Sequence, residues 1–398
     1  MLDGGITLNG SGFDDVVERR GTDSLKWDGT EGRFGPVPVD ALPMWVADMD
    51  FLSPPEVIDA IRKRADHGVF GYVQSSQETF RIVSEWLLQA HRWTVDPSWI
   101  VPCTGVMPAI GVAIRAFSDP GDGVVIQPPV YPPFFRIVKE NDRVVVENPL
   151  VNENGYYRMD MEGLRSTLED PANRILLLCS PHNPVGRVWG KEELAQVGHI
   201  CLETGTLLIS DEIHADLVFD PDRHTPSASI TPELAGKTIT CISPSKTFNI
   251  PGLQTAYSVI SDPGLREGFQ ASLRATAIGS HNVFGLAASD AAYRYGARWR
   301  KAMLGYLREN RDRAVAFFMK EMPWVAVRPP EGTYLLWLDM SASGLAPENV
   351  TERLIQKGKV VLEPGYWFGA QGSGWQRMNF ACPRVLLEEG LKRIRDTF

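Results

Sequence analysis

The alternation of strand-like and helix-like segments predicts an α/β protein with a mostly parallel sheet, followed by a smaller α+β domain. The first observation is a set of short apolar or β-branched runs: Val124–Ile126, Val144–Val146, Ile175–Cys179, Leu207–Ile209, Thr238–Ile242 and Ala256–Ile260. They read as strands buried on both faces. The second is the helical patterning between them. Pro108–Phe117 follows Thr104-Gly105, and Lys191–Glu203 ends at Gly205, where a glycine C-cap is expected. The third is a change of character near residue 290. Ala297–Met322 carries apolar residues at helical spacing among Arg, Lys and Glu, then Thr333–Leu338 and Lys359–Leu362 read as strands and Leu386–Phe398 as a closing helix. The expected division is 1–50 as an N-terminal segment joining the small domain, 51–290 as the large domain and 291–398 as the small one.

Composition narrows the function. The 398 residues are 43 % hydrophobic and 22 % charged, close to a soluble globular average, so disorder and coiled coil are excluded. A net charge of −9 argues against nucleic acid or an anionic membrane as the main partner. No run reaches the length of a membrane span, and Met1–Asn9, with Asp3 and two glycines, lacks the pattern of a secretory signal. Cys103, Cys179, Cys201, Cys241 and Cys382 are odd in number and form no CxxC pair, which points to reduced thiols in the cytoplasm. His182, His214 and His224 show no metal-ligand spacing, so no metal is expected.

The chemistry stands just beyond the strands, where open parallel sheets bind ligands. Ile175–Cys179 runs into Ser180-Pro-His-Asn-Pro-Val-Gly186, Leu207–Ile209 into Ser210-Asp-Glu-Ile-His-Ala-Asp216, and Thr238–Ile242 into Ser243-Pro-Ser-Lys-Thr-Phe-Asn249. An amide, a carboxylate and a lysine thus reach one sheet edge. A carboxylate there needs a partner, and Asp211 can pair with a cationic ring nitrogen. Lys246 among small residues suits a Schiff base, and Asn183 can donate to a phenolate oxygen. Together they fit pyridoxal phosphate. Its phosphate fits the helix start after Thr104-Gly105-Val106, with hydroxyls from Ser243 and Ser245.

These segments, with Pro181-His-Asn-Pro-Val-Gly-Arg-Val-Trp189, resemble the fold-type I pyridoxal-phosphate enzymes. Within them the chain is most similar to the cystathionine β-lyase-like C–S lyases, a branch of the class I/II aminotransferase family. The likeness runs from Phe13 and Arg19-Arg-Gly-Thr-Asp-Ser-Leu-Lys-Trp27 through Met44-Trp-Val-Ala-Asp-Met-Asp-Phe51 to Phe380-Ala-Cys-Pro-Arg384, essentially the whole chain. It implies the fold-type I architecture, with a seven-stranded-type sheet. It also implies that Lys246 is the Schiff-base lysine and proton shuttle, Asp211 the partner of the pyridine nitrogen and Asn183 that of the phenolic oxygen. Tyr131 would stack on the ring, and Gly105, Val106, Ser243 and Ser245 would hold the phosphate. Tyr72, in Phe70-Gly-Tyr72, would reach the phosphate of a neighbouring subunit, making a homodimer with shared active sites. Arg384, with Asn183 and Trp45, would bind the substrate, an L-cysteine S-conjugate. Tyr72 or Tyr131 would supply a proton to the leaving sulfur, and Trp45, Tyr72, Trp367 and Phe368 would line the pocket for its substituent.

Two departures separate the chain from ordinary aminotransferases. Gln254 stands where many carry a phosphate-binding arginine, and His214 stands where a tyrosine is usual. Both match the lyase branch and favour elimination over transamination, the rival chemistry on this scaffold. A smaller departure, Ala90-His-Arg-Trp93, falls at an expected helix end and bears on packing.

Overall fold

A computed structural model describes residues 12–220, 224–278 and 281–398; the reading of Met1–Asn9 falls outside them. Seven strands form the large sheet: β1 (Ile100–Cys103), β2 (Gly123–Ile126), β3 (Val144–Glu147), β4 (Asn173–Cys179), β5 (Leu207–Asp211), β6 (Thr238–Ile242) and β7 (Ala256–Val259). Their order is β1-β7-β6-β5-β4-β2-β3. The sheet is parallel except for β7, which runs antiparallel to both β6 and β1. The reason lies in the connection. Between β6 and β7 stand only a loop and the short turn Pro251–Leu253, with no crossover helix of the kind that usually joins parallel neighbours.

Side chains alternate through this sheet into two cores. Ile175, Leu177 and Cys179 of β4 join Val124, Ile126 and Ile209 on one face, whereas Leu176 and Leu178 join Val125, Leu208 and Trp189 on the other. Burial on both faces is what the continuous apolar runs predicted, with one correction. β3 pairs only with β2, so this edge strand leaves Val144 and Glu147 exposed. The sequence reading also left out β1, whose Pro102 interrupts an otherwise short apolar run.

Helix α1 (Val106–Phe117) begins two residues earlier than its pattern suggested, and α2 (Lys191–Thr204) ends at Gly205 in the left-handed conformation, φ 72°. Helix α3 (Val283–Tyr295) spans residue 290, and α4 (Ala297–Glu321) is one continuous 25-residue helix. A four-stranded antiparallel sheet follows: β8 (Ala326–Val327), β9 (Leu335–Asp339), β10 (Glu363–Pro364) and β11 (Trp375–Asn379), ordered β8-β9-β11-β10. Helix α5 (Arg384–Thr397) closes the chain. Leu42–Pro43 pairs in parallel with Val360–Val361 and so carries the N-terminal segment to this end of the molecule. No described helix is long and apolar enough to cross a membrane, and all five cysteines are buried and unpaired.

The N-terminal segment is held by charge as well. Lys26, almost fully buried, meets Asp50 at 2.6 Å, and Arg19 reaches Asp50 at 2.6 Å and Asp48 at 2.7 Å. Trp27 Nε1 donates to Asp50 Oδ1 at 2.9 Å. From the other side, Asn379 Nδ2 donates to the carbonyls of Val46 and Asp48, both at 2.6 Å. The Val46–Asp48 backbone is therefore fixed at the edge of the large sheet.

Candidate active site

Strands β4, β5 and β6 end side by side. The residues that follow them, with the start of α1, enclose a cavity of about 360 Å³. Gly105, Val106, Tyr131, Asn183, Asp211, His214, Ser243, Ser245 and Lys246 all line it, as do Ala47, Thr104 and Gln254. Nine of the residues singled out from sequence therefore share one cavity. Gly105 stands at the N-cap of α1 with no side-chain cap, which leaves the first-turn N–H groups of a 12-residue helix for an anion. Ser243 Oγ donates to Thr255 O at 2.6 Å and lies 2.8 Å from Ser245 Oγ.

Burial sets the protonation of the polar groups. Lys246 is brought down to about 8, chiefly by burial, with nearby Arg377 acting the same way and Asp48 and Asp211 opposing it. Its Nζ donates to the Ala47 carbonyl at 2.6 Å, on the backbone that the N-terminal charge cluster fixes. Burial likewise raises Asp211 to about 7, against the pull of the Ile213 N–H and of Lys246. His214 is pushed down to about 3, first by burial and then by Lys246 and Arg377, and is neutral. Its buried Nδ1 has no hydrogen-bond partner. Tyr131 is raised to about 12 by burial and then by Glu363, so its phenol keeps its proton.

Five predicted residues do not line this cavity: Arg384, Trp45, Tyr72, Trp367 and Phe368. Arg384 opens α5 directly after Pro383, and there its Nη2 pairs with Glu309 at 2.6 Å and its guanidinium lies over Tyr306. The carboxylate clamp expected of it is not seen at this cavity: its side chain faces α4, in a separate surface cleft with Phe13 and Lys301. Trp45 is buried away from the cavity. Its indole donates to Lys26 O at 3.0 Å and its ring meets Phe34 edge-on. Tyr72 is fully exposed, beside exposed Val69 and Phe70. Of the other two aromatics expected at the substituent pocket, Trp367 stacks on Phe34 and Phe368 is wholly buried in the core.

A buried arginine, Arg377, stands behind the cavity wall and touches one of its lining residues, Asn183. Its Nη1 donates to Asn183 Oδ1 at 2.9 Å, its Nη2 donates to Trp45 O at 2.8 Å and to Glu363 Oε2, and its buried Nε has no partner. Arginine offers only donors, so the Asn183 oxygen must face it, which leaves the Asn183 amide nitrogen as the donor for a ligand. The signal available in sequence was an arginine alternating with apolar and amide residues on a short strand, Trp375-Gln-Arg-Met-Asn379. A buried arginine in such a strand has to bind something.

The profile of the family described as aminotransferase class I and II matches residues 40–394. The chain belongs to that family. It is 44 % identical to cystathionine β-lyase PatB of Bacillus subtilis (strain 168), over 96 % of this chain and 98 % of that one. It is 36 % identical to protein MalY of Escherichia coli (strain K12), over 95 % and 96 % of the two chains. Cystalysin from Treponema denticola, a crystal structure containing pyridoxal 5′-phosphate, superposes with a TM-score of 0.94 at 37 % identity, covering 97 % of this chain and 98 % of that one.

The cavity fits the cofactor of this class I/II aminotransferase fold. Asp211 is a buried carboxyl whose own loop supplies one N–H and no bonded cation, and a protonated pyridine nitrogen supplies that cation. The Asn183 amide, the helix start at Gly105 and the two serine hydroxyls match the phenolic oxygen and the phosphate. A pH test follows. In cofactor-free protein, Asp211 holds a proton up to about 7, whereas the unfolded chain releases it near 3.8. The folded state thus binds more protons between those values, so its stability falls as pH rises across the window, by up to about 4 kcal/mol. Melting temperatures of cofactor-free wild type and Asp211→Asn between pH 5 and 8 check this. Wild type should lose several degrees relative to the variant, and parallel curves would refute the assignment.

Proposed function

We propose that this protein is a pyridoxal-phosphate-dependent carbon–sulfur lyase. It cleaves L-cystathionine or a related L-cysteine S-conjugate by α,β-elimination to a thiol, pyruvate and ammonia. The observation that carries the reading is Lys246, brought down to about 8 and held in one cavity with Asp211 and Asn183, in a chain 44 % identical across 96 % of its length to a protein named cystathionine β-lyase.

When bound, the cofactor withdraws electrons from the substrate Cα and so weakens the Cα–H bond. The chain supplies the rest. Arg377 binds the α-carboxylate and orients the substrate, in place of Arg384. Lys246, brought down to about 8, removes the Cα proton as general base. Asp211 would hold the cofactor's pyridine nitrogen protonated, and Asn183 would donate to its phenolic oxygen. Tyr131, which lines the cavity and keeps its proton up to about 12, would lie against the cofactor ring and give a proton to the departing sulfur. His214 and Gln254 add no charge near the phosphate, so amides and hydroxyls hold it.

The working unit in this reading is a cytoplasmic homodimer with shared sites. Five unpaired buried thiols favour the compartment. The exposed run of Val69, Phe70 and Tyr72 favours a partner surface, with Tyr72 reaching the neighbour's phosphate.

The test is incubation of the cofactor-loaded protein with L-cystathionine alone, following thiol and pyruvate together. Equal amounts of both without an added keto acid are expected. Product that appears only when a keto acid is supplied would make the protein an aminotransferase.

A further inference from the structure

Glu363 stands directly behind the site and has no part in the reaction as described. It lies on β10, paired with Arg377 across the sheet, and both side chains are almost completely buried. Its carboxylate accepts from Arg377 Nη2.

The donors of Arg377 can be counted. A guanidinium carries five N–H groups and grips a carboxylate through one of two edges, each offering two parallel N–H bonds. One edge joins Nε to Nη2 and the other joins Nη1 to Nη2, so Nη2 belongs to both. Both Nη2 hydrogens are engaged, one by Trp45 O and one by Glu363, while Nε–H is buried without an acceptor. No edge is therefore free for a two-point grip until one Nη2 acceptor withdraws. The Trp45 carbonyl is main chain, on a segment pinned by Met44 N to Val361 O and Asn379 N to Met44 O, both at 2.8 Å. Glu363 is a side chain with rotatable bonds, and a second cation, Arg33 on the face of Trp367, also acts on its charge. Glu363 is the acceptor that can move.

We propose that Glu363 is a specificity-determining residue that occupies on Arg377 the place of the substrate α-carboxylate and withdraws when the substrate binds. The inference rests on the reading of Arg377 as the carboxylate-binding residue. In the free protein the internal carboxylate satisfies Arg377, and every amino-acid ligand competes with it. An amine lacking the carboxylate leaves the pair intact.

The test uses cofactor-loaded protein and titration calorimetry with L-alanine, which has no leaving group at Cβ, and with ethylamine, which has no carboxylate. Glu363→Gln and Glu363→Ser should melt earlier, because Arg377 loses the carboxylate that neutralises it, yet bind L-alanine about tenfold more tightly with ethylamine unchanged. Equal or weaker L-alanine binding would make Glu363 a strut for Arg377 and overturn the proposal. So would failure of both variants to fold, since a displaceable group is not required for folding. Arg377→Lys run in parallel separates the two layers. Indifference of L-alanine binding to it overturns the carboxylate reading and this inference together. Weakened binding there without tightening in the Glu363 variants overturns the inference alone. Tightening in an enzyme that releases no thiol from L-cystathionine supports the inference while the lyase reading falls.

Discussion

Lys246→Ala should lower thiol release from L-cystathionine by about 10⁴-fold, the upper end of what one general base contributes, because no other group can take its place. Among the described residues that line the cavity, none is a second base of similar strength. His214, held near 3, is neutral but far too weak, and Asp211 is committed to the ring nitrogen. The variant should fold normally, since the Nζ–Ala47 hydrogen bond is one of several that hold that backbone. Single-turnover kinetics with the cofactor-loaded variant measures the effect. Loss of less than about tenfold would mean that a different group removes the Cα proton.

Arg377→Lys should raise KM for L-cystathionine about 100-fold with a smaller change in kcat, whereas Arg384→Ala should leave both within about twofold. The first number follows from losing a two-point, charge-assisted contact worth about 3 kcal/mol. Lysine keeps the charge but not the fork, so it also loses part of the grip on Asn183 and Trp45. The second follows from position. Arg384 pairs with Glu309 on the face of α4 in a different cleft, and exposed pairs contribute little. Steady-state kinetics of the two variants side by side decides between them. A large KM effect from Arg384→Ala with none from Arg377→Lys would restore the clamp read from the sequence.

The sequence by itself determined most of the large sheet and the polar groups at its edge. Runs such as Ile175–Cys179 and Thr238–Ile242 are apolar at every position, and only a strand covered on both faces can bury them. Asp211, Asn183 and Lys246 follow those runs immediately, so local spacing alone places them at the carboxyl ends of three adjacent strands. Backbone amides at Gly105 are equally legible, because a helix start depends on a few neighbouring residues.

What only the tertiary structure decided lies in contacts between residues distant along the chain. Arg384 and Arg377 stand on either side of Phe380-Ala-Cys-Pro383, and the sequence offers no local reason to prefer one. Which of the two meets Asn183 depends on the register of β11, which brings Arg377 against it while Pro383 turns the chain into α5. The antiparallel course of β7, the exposed edge at β3 and the sealing of Trp45 against Lys26 and Phe34 have the same origin. Glu363 is the furthest case. It reads as an ordinary charged residue in Leu362-Glu-Pro364, and only the pairing of β10 with β11 buries it against Arg377. Local sequence limits which backbone conformations a segment can adopt, but which side chains share a low-dielectric cavity is set by how those segments pack.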